Sequence, residues 1–115
     1  MDINQFLTSL LHQLSTLDFV EKVDIHTEVF ILKGKAILKE GRFLQIYFNE
    51  QTGTTAFALI EEGKRIWGID FDNIRGWHVH PIKNPEGHYE ISPMRLEDII
   101  RALTDAWVLL CNVSR

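Results

Sequence analysis

The chain of 115 residues holds one cysteine, Cys111, so no internal disulfide framework can form, and a lone thiol in apolar company reads as core. It has no run of about 18 apolar residues, which removes a membrane-spanning helix and with it a membrane partner. The N-terminus opens on Asp2 without the basic-then-apolar pattern of a secretory leader, so the cytoplasm is the expected location. Basic charge is also short, with 12 Lys and Arg against 16 Asp and Glu for a net charge of −4. Nucleic-acid binders normally carry a basic footprint, because phosphate contacts supply most of their affinity. Here basic residues gather only locally, at Lys33, Lys35 and Lys39, at Lys64 and Arg65, and at Arg75 and Lys83. Repeats, linkers and low-complexity segments are missing too. The length fits one domain over residues 1–115, enough to bury roughly two thirds of the surface of its unfolded chain.

What is present reads as an α+β fold. Asp2 can cap a first helix with Gln5 three residues on, a capping-box spacing. Ile3, Phe6, Leu7, Leu10, Leu11, Leu14 and Leu17 recur at intervals of three and four and form one apolar stripe. From Phe19 the period changes to two, with Val23, Ile25, Val29 and Ile31 alternating with Lys22, Asp24, His26 and Glu28. Lys33-Gly34 is expected to turn the chain into a short strand near Ala36–Lys39. Strands over 43–49, 54–60 and 65–72 follow, and Trp77–His80 makes a short final one. The connections are too short for crossover helices, so neighbours are antiparallel. Ser92 as N-cap and Pro93 at the first helical position predict the start of a closing helix. The expectation is an N-terminal helix, a five- or six-stranded antiparallel meander and a C-terminal helix, both helices on one face of the sheet.

Five residues that do chemistry crowd into the nineteen positions from Asp70 to His88: Asp70, Asp72, His78, His80 and His88. Three of the five histidines of the chain lie there. Side chains alternate across a strand, so Asp70 and Asp72 share one face, and His78 and His80 share one. Trp67, Ile69 and Phe71 take the opposite side, as do Trp77 and Val79. Burying Trp77 with Phe71 favours a register that sets Asp70 opposite His78. A carboxylate beside an imidazole favours the imidazolium and fixes which ring nitrogen carries hydrogen. That pairing suits a general acid or base near neutral pH. It also suits a metal site, because His-x-His on a strand points two imidazoles the same way. The plain alternative is a surface of hydrogen-bonded histidines around a structured loop.

The run Gly68-Ile-Asp-Phe-Asp-Asn73, then Trp77-His-Val-His-Pro81, then Pro85-Glu-Gly-His88, resembles the TumE-type toxins of prokaryotic toxin–antitoxin pairs. The likeness is carried by Asp72-Asn73, His78, His80-Pro81, Pro85, His88 and the helix Leu96-Glu-Asp-Ile-Ile100, about the last 50 residues of the chain. The adjacent His-His typical of that family is His-Val-His here, and this chain is acidic. The resemblance implies a small toxin that acts on RNA and is neutralised by a cognate antitoxin protein. Gly76-Trp-His-Val-His-Pro81 also looks like the zinc-binding His-x-His-Pro of JAMM metalloproteases. The positions where that motif continues fall on Tyr89 and Ser92, so its third ligand is missing.

Three functions follow. The first is a TumE-like, metal-independent ribonuclease needing no cofactor. His80 or His78 takes the proton of a 2′-hydroxyl, His88 protonates the leaving oxygen, and Asp70 or Asp72 holds one imidazole. Arg75 or Lys83 then meets the phosphate charge, with Trp77 as a further substrate contact. The second is a non-catalytic interaction module anchored by an exposed Trp67 or Tyr47. The third is a metal-binding hydrolase built from His78, His80 and Asp70 or His88. A free edge strand in so small a meander also allows a homodimer.

Overall fold

The computed structural model describes residues 1–113. Helix α1 (Ile3–Ser15) starts as its cap demands. The Asp2 carboxylate accepts from the Gln5 amide at 2.8 Å, and the Gln5 side chain accepts from the Asp2 amide at 3.0 Å. Seven strands follow in chain order, β1 (Val20–Glu28), β2 (Ile31–Leu38), β3 (Arg42–Asn49), β4 (Thr55–Glu61), β5 (Lys64–Asp72), β6 (Gly76–His80) and β7 (Tyr89–Glu90). They form one open antiparallel sheet in which each strand pairs with the next. Helix α2 (Leu96–Val113) closes the chain.

The sheet has seven strands rather than five or six, and its first hairpin turns earlier than expected. The first hairpin turns at Val29 and Phe30, with Val29 at φ 46° and 84% exposed, and Lys33-Gly34 lies inside β2. Gly34 is there for close approach: a Cβ on it would stand 2.2 Å from the Asp24 carbonyl oxygen of β1. The additional strand is β7, two residues that pair with His78 and Val79. The last helix also begins later than Ser92-Pro93 suggests. Its first turn is fixed by the Asp98 carboxylate, which accepts from the Arg95 amide at 2.9 Å.

Cross-strand partners share a face, so the register sorts the sheet into two sides. On the first, Ala36, Leu44, Leu59 and Trp67 form one row, and Ile46, Phe57 and Ile69 form the next. These join the buried residues of α1 (Phe6, Leu10, Leu14) and α2 (Ile99, Leu103, Trp107) in a single cluster. Phe6 stacks on Phe48 at 4.1 Å, and Phe19 on Trp107 at 4.4 Å. Arg42 lies over the Trp107 ring and bonds Glu61 at 2.6 Å, which brings its charge into that core with a partner. Trp67 is only 4% exposed and is a core residue, not the exposed anchor an interaction module would need.

The second side carries Asp24 and His26, Lys33 and Lys35, Phe43, Gln45 and Tyr47, Ala56 and Ala58, then Gly68, Asp70, His78 and His80. No helix of the chain is long and apolar enough to cross a membrane among the described residues.

Candidate functional site

Strands β5 and β6 place the site. Asp70 pairs with His78, and Gly68 pairs with His80, so the register expected from burying Trp77 with Phe71 is the one observed. The Phe71 and Trp77 rings lie 5.2 Å apart on the opposite side. One carboxylate oxygen, Asp70 Oδ2, sits 2.9 Å from His80 Nε2 and 3.4 Å from His78 Nε2. His78 Nδ1 is 3.2 Å from the Gly76 carbonyl. A carbonyl only accepts, so that nitrogen carries the hydrogen in this contact.

After β6 the chain runs through Pro81 and Pro85 and returns with His88 against the two strand histidines. The His88 ring lies 4.5 Å from that of His80 and 5.4 Å from that of His78. His78 and His80 are buried, whereas His88 is exposed. The buried His80 Nδ1 has no hydrogen-bond partner.

Two arginines stand beside these rings. Arg75 Nη1 is 3.4 Å from His88 Nδ1, so Nδ1 is the lone-pair nitrogen of His88. The His88 imidazolium is disfavoured, first by loss of water around the ring and then by the charges of His80, Arg75, His78 and Arg65. Strict alternation would put Arg65 on the face of Trp67, away from the histidines. A bulge changes this: Leu59 pairs with Trp67 but Ile60 with Arg65, so Ile66 is the extra residue and turns to the core. Arg65 thereby reaches the histidine side. A Cβ at position 68 would stand 2.9 Å from the Phe57 carbonyl oxygen of β4 and 3.3 Å from Arg65 Cδ, so glycine there answers to the neighbouring strand and to Arg65.

The remaining expected residues fall elsewhere. Asp72 Oδ1 accepts from the amides of Ile74 and Arg75 at 2.9 and 2.7 Å, and Oδ2 is 3.6 Å from Arg75 Nε. The Arg75 amide bond is the main reason that its carboxyl lies below the usual range. Asp72 thus shapes the turn and orients Arg75, while Asp70 is the carboxylate that bonds His78 and His80. Trp77 lies on the other side of the sheet, so it cannot meet a ligand together with His78 and His80. Lys83 borders a depression with Trp67, Pro81 and the α2 residues Asp105 and Leu109.

His78, His80 and His88 each offer a ligand atom within 4.8 Å of the others, a set that could draw in around a small cation. Zinc needs nitrogens at about 2.0–2.1 Å, and hence a tighter cluster. Arg75 and Arg65 already direct positive charge at the His88 ring, which favours an anion over a cation there. No protein-family model, curated protein or solved structure matches the chain.

Proposed function

We propose that the chain is a TumE-like toxin that cleaves RNA without a metal, in the cytoplasm, and is held in check by a cognate antitoxin. One observation carries this reading: a single Asp70 oxygen shared by two buried histidines, facing an exposed third histidine flanked by Arg75 and Arg65. Such a site offers an exposed imidazole that can take and return a proton, with fixed positive charge beside it, as cleavage of a phosphodiester needs.

The expected roles of the histidines are exchanged by their surroundings. His88 favours its neutral form and keeps a lone pair on Nδ1, so it is the better base. Drawn to the scissile phosphate, Arg75 leaves that nitrogen free to take the 2′-hydroxyl proton. The 2′-oxygen then bonds to phosphorus while the bond to the 5′-oxygen breaks. The leaving 5′-oxygen takes its proton from the imidazolium that this step leaves on exposed His88, whose ring the buried His80, held through Nε2 by Asp70, keeps in place. The products are a 2′,3′-cyclic phosphate and a 5′-hydroxyl end. Arg65 and Arg75 meet the charge that builds on the phosphoryl oxygens.

The test is induced expression of the natural chain beside the His80→Ala version, with the ends of cellular RNA mapped. Growth arrest and cyclic-phosphate ends with the natural chain alone are expected. Equal growth and intact RNA in both, from folded protein, overturn the reading. The metal alternative is checked on untagged protein: stoichiometric zinc, nickel or manganese, with a thermal shift on adding it, would replace the metal-free mechanism.

A further inference from the structure

On the face that carries the histidines, a depression of about 590 Å³ crosses the middle of the sheet, bordered by Lys33, Lys35, Phe43, Tyr47, Ala56 and Ala58. We propose that this trough seats a single-stranded RNA and leads it into the histidine cluster. The inference rests on the RNA-cleaving reading for its direction, and its residues lie outside the site described above.

Charge is the first argument. The chain is acidic overall, yet the charged side chains of β2 and β3 on this face are Lys33 and Lys35, and both are exposed. The acid at the β1 rim, Asp24, lies 3.0 Å from His26 and opposite Lys35 in the ladder, so it offsets part of the Lys35 charge and leaves Lys33, opposite His26, unopposed there. At the other end Asp70 is bound by the histidines, and Arg65 and Arg75 follow. A polyanion laid across the sheet therefore meets lysines first and arginines last.

The second argument is shape. Phe43 and Tyr47 stand four residues apart on β3, roughly 13 Å, with the ammonium group of Lys35 at 5.1 Å over the Phe43 ring. Between this aromatic row and the histidines the floor is bare. Ala56 pairs with Asp70, Ala58 pairs with Gly68, and Gly68 pairs with His80. Three strand spacings separate β3 from β6, about 14 Å. A four-stranded sheet stacks roughly two or three bases on aromatics over such a span. Stacking tolerates any base, and lysines contact phosphates without reading sequence, so the trough fits single-stranded RNA of mixed sequence.

The experiment uses fluorescence anisotropy of a fluorescein-labelled, mixed-sequence single-stranded RNA of about ten nucleotides. The full chain carries His80→Ala so that the probe survives. Tyr47→Ala is expected to weaken binding about five- to a hundredfold, and Tyr47→Phe to keep it. Lys33→Glu with Lys35→Glu, at exposed positions that do not threaten folding, is expected to weaken it at least about tenfold and lower the salt slope by about two. Parent affinity in all these variants, or no binding by the parent, overturns the trough. So does a dimer that the lysine variants dissolve without changing RNA affinity, because a second copy is then the occupant. Cleavage is read separately in chains that keep His80. Lost binding with no cleavage by any version keeps the trough and sinks the ribonuclease, whereas full cleavage efficiency in the trough variants does the reverse.

Discussion

Trp67 and Ile69 are 4% and 1% exposed on one side of the β5–β6 hairpin, and His78 and His80 are 4% and 1% exposed on the other. Equal burial conceals different energetics. The apolar pair lies against helices, where each square ångström removed from water stabilises by about 25 cal/mol whatever the orientation. The imidazoles gain nothing comparable and must be matched atom by atom. Asp70 matches them through one oxygen that serves both rings. One side of the hairpin holds the fold together by area, and the other by contacts that depend on the position of single atoms. Buried titratable groups so placed are candidates for function.

The contrast is sharpened most by His80→Ala. RNA cleavage by the folded protein is expected to fall about 10²- to 10⁴-fold, measured as initial rates on a labelled RNA. Its urea midpoint should change far less than that of a core variant. Phe57→Ala tests the opposite side. The ring is fully buried, so its removal is expected to cost about 3–5 kcal/mol in urea unfolding while cleavage per folded molecule is kept. A core variant that abolished cleavage while folded would break the division between the faces.

Asp70→Asn comes next, with cleavage expected to drop at least about tenfold because an amide holds the imidazoles in place without the charge. Nitrogen chemical shifts of the His78 and His80 rings should report altered hydrogen positions, and unchanged shifts would show that Asp70 does not set them.

Arg75→Ala gives the smallest effect and the most specific one. The His88 value is pushed below 6.5, chiefly by desolvation, then by His80 and Arg75. A base works while neutral, so the acid limb of kcat/KM should lie below the ordinary histidine value. Removing the Arg75 charge eases protonation, so the limb and the His88 titration should both move to higher pH. The unfolded chain takes up this proton at higher pH than the folded one, so His88 opposes folding as pH falls through that window. A limb that stayed in place would remove His88 as the base.

Much of this arrangement was legible because short-range rules govern it. The capping box of Asp2 and Gln5 starts α1, and the need to bury Trp77 with Phe71 selects the register that sets Asp70 opposite His78. The first hairpin was not legible, since Val29 and Phe30 carry no turn signal and Gly34 imitates one. Gly34 answers instead to the Asp24 carbonyl of the neighbouring strand. Ser92-Pro93 resembles a helix start, but Asp98 sets that start at Arg95. The strand Tyr89–Glu90 forms only because β6 offers it an edge.

By itself, the order of residues determined the antiparallel α+β layout, because alternation and capping act over a few residues, and it favoured without fixing the register that sets Asp70, His78 and His80 on one side. Tertiary structure decided that Arg65 joins the site, through a bulge set by pairing with Ile60. It decided that Asp72 serves the turn at Ile74 and Arg75, and that His88 returns to the two strand histidines. These placements depend on distances between segments remote in sequence, and only packing of the whole chain sets such distances.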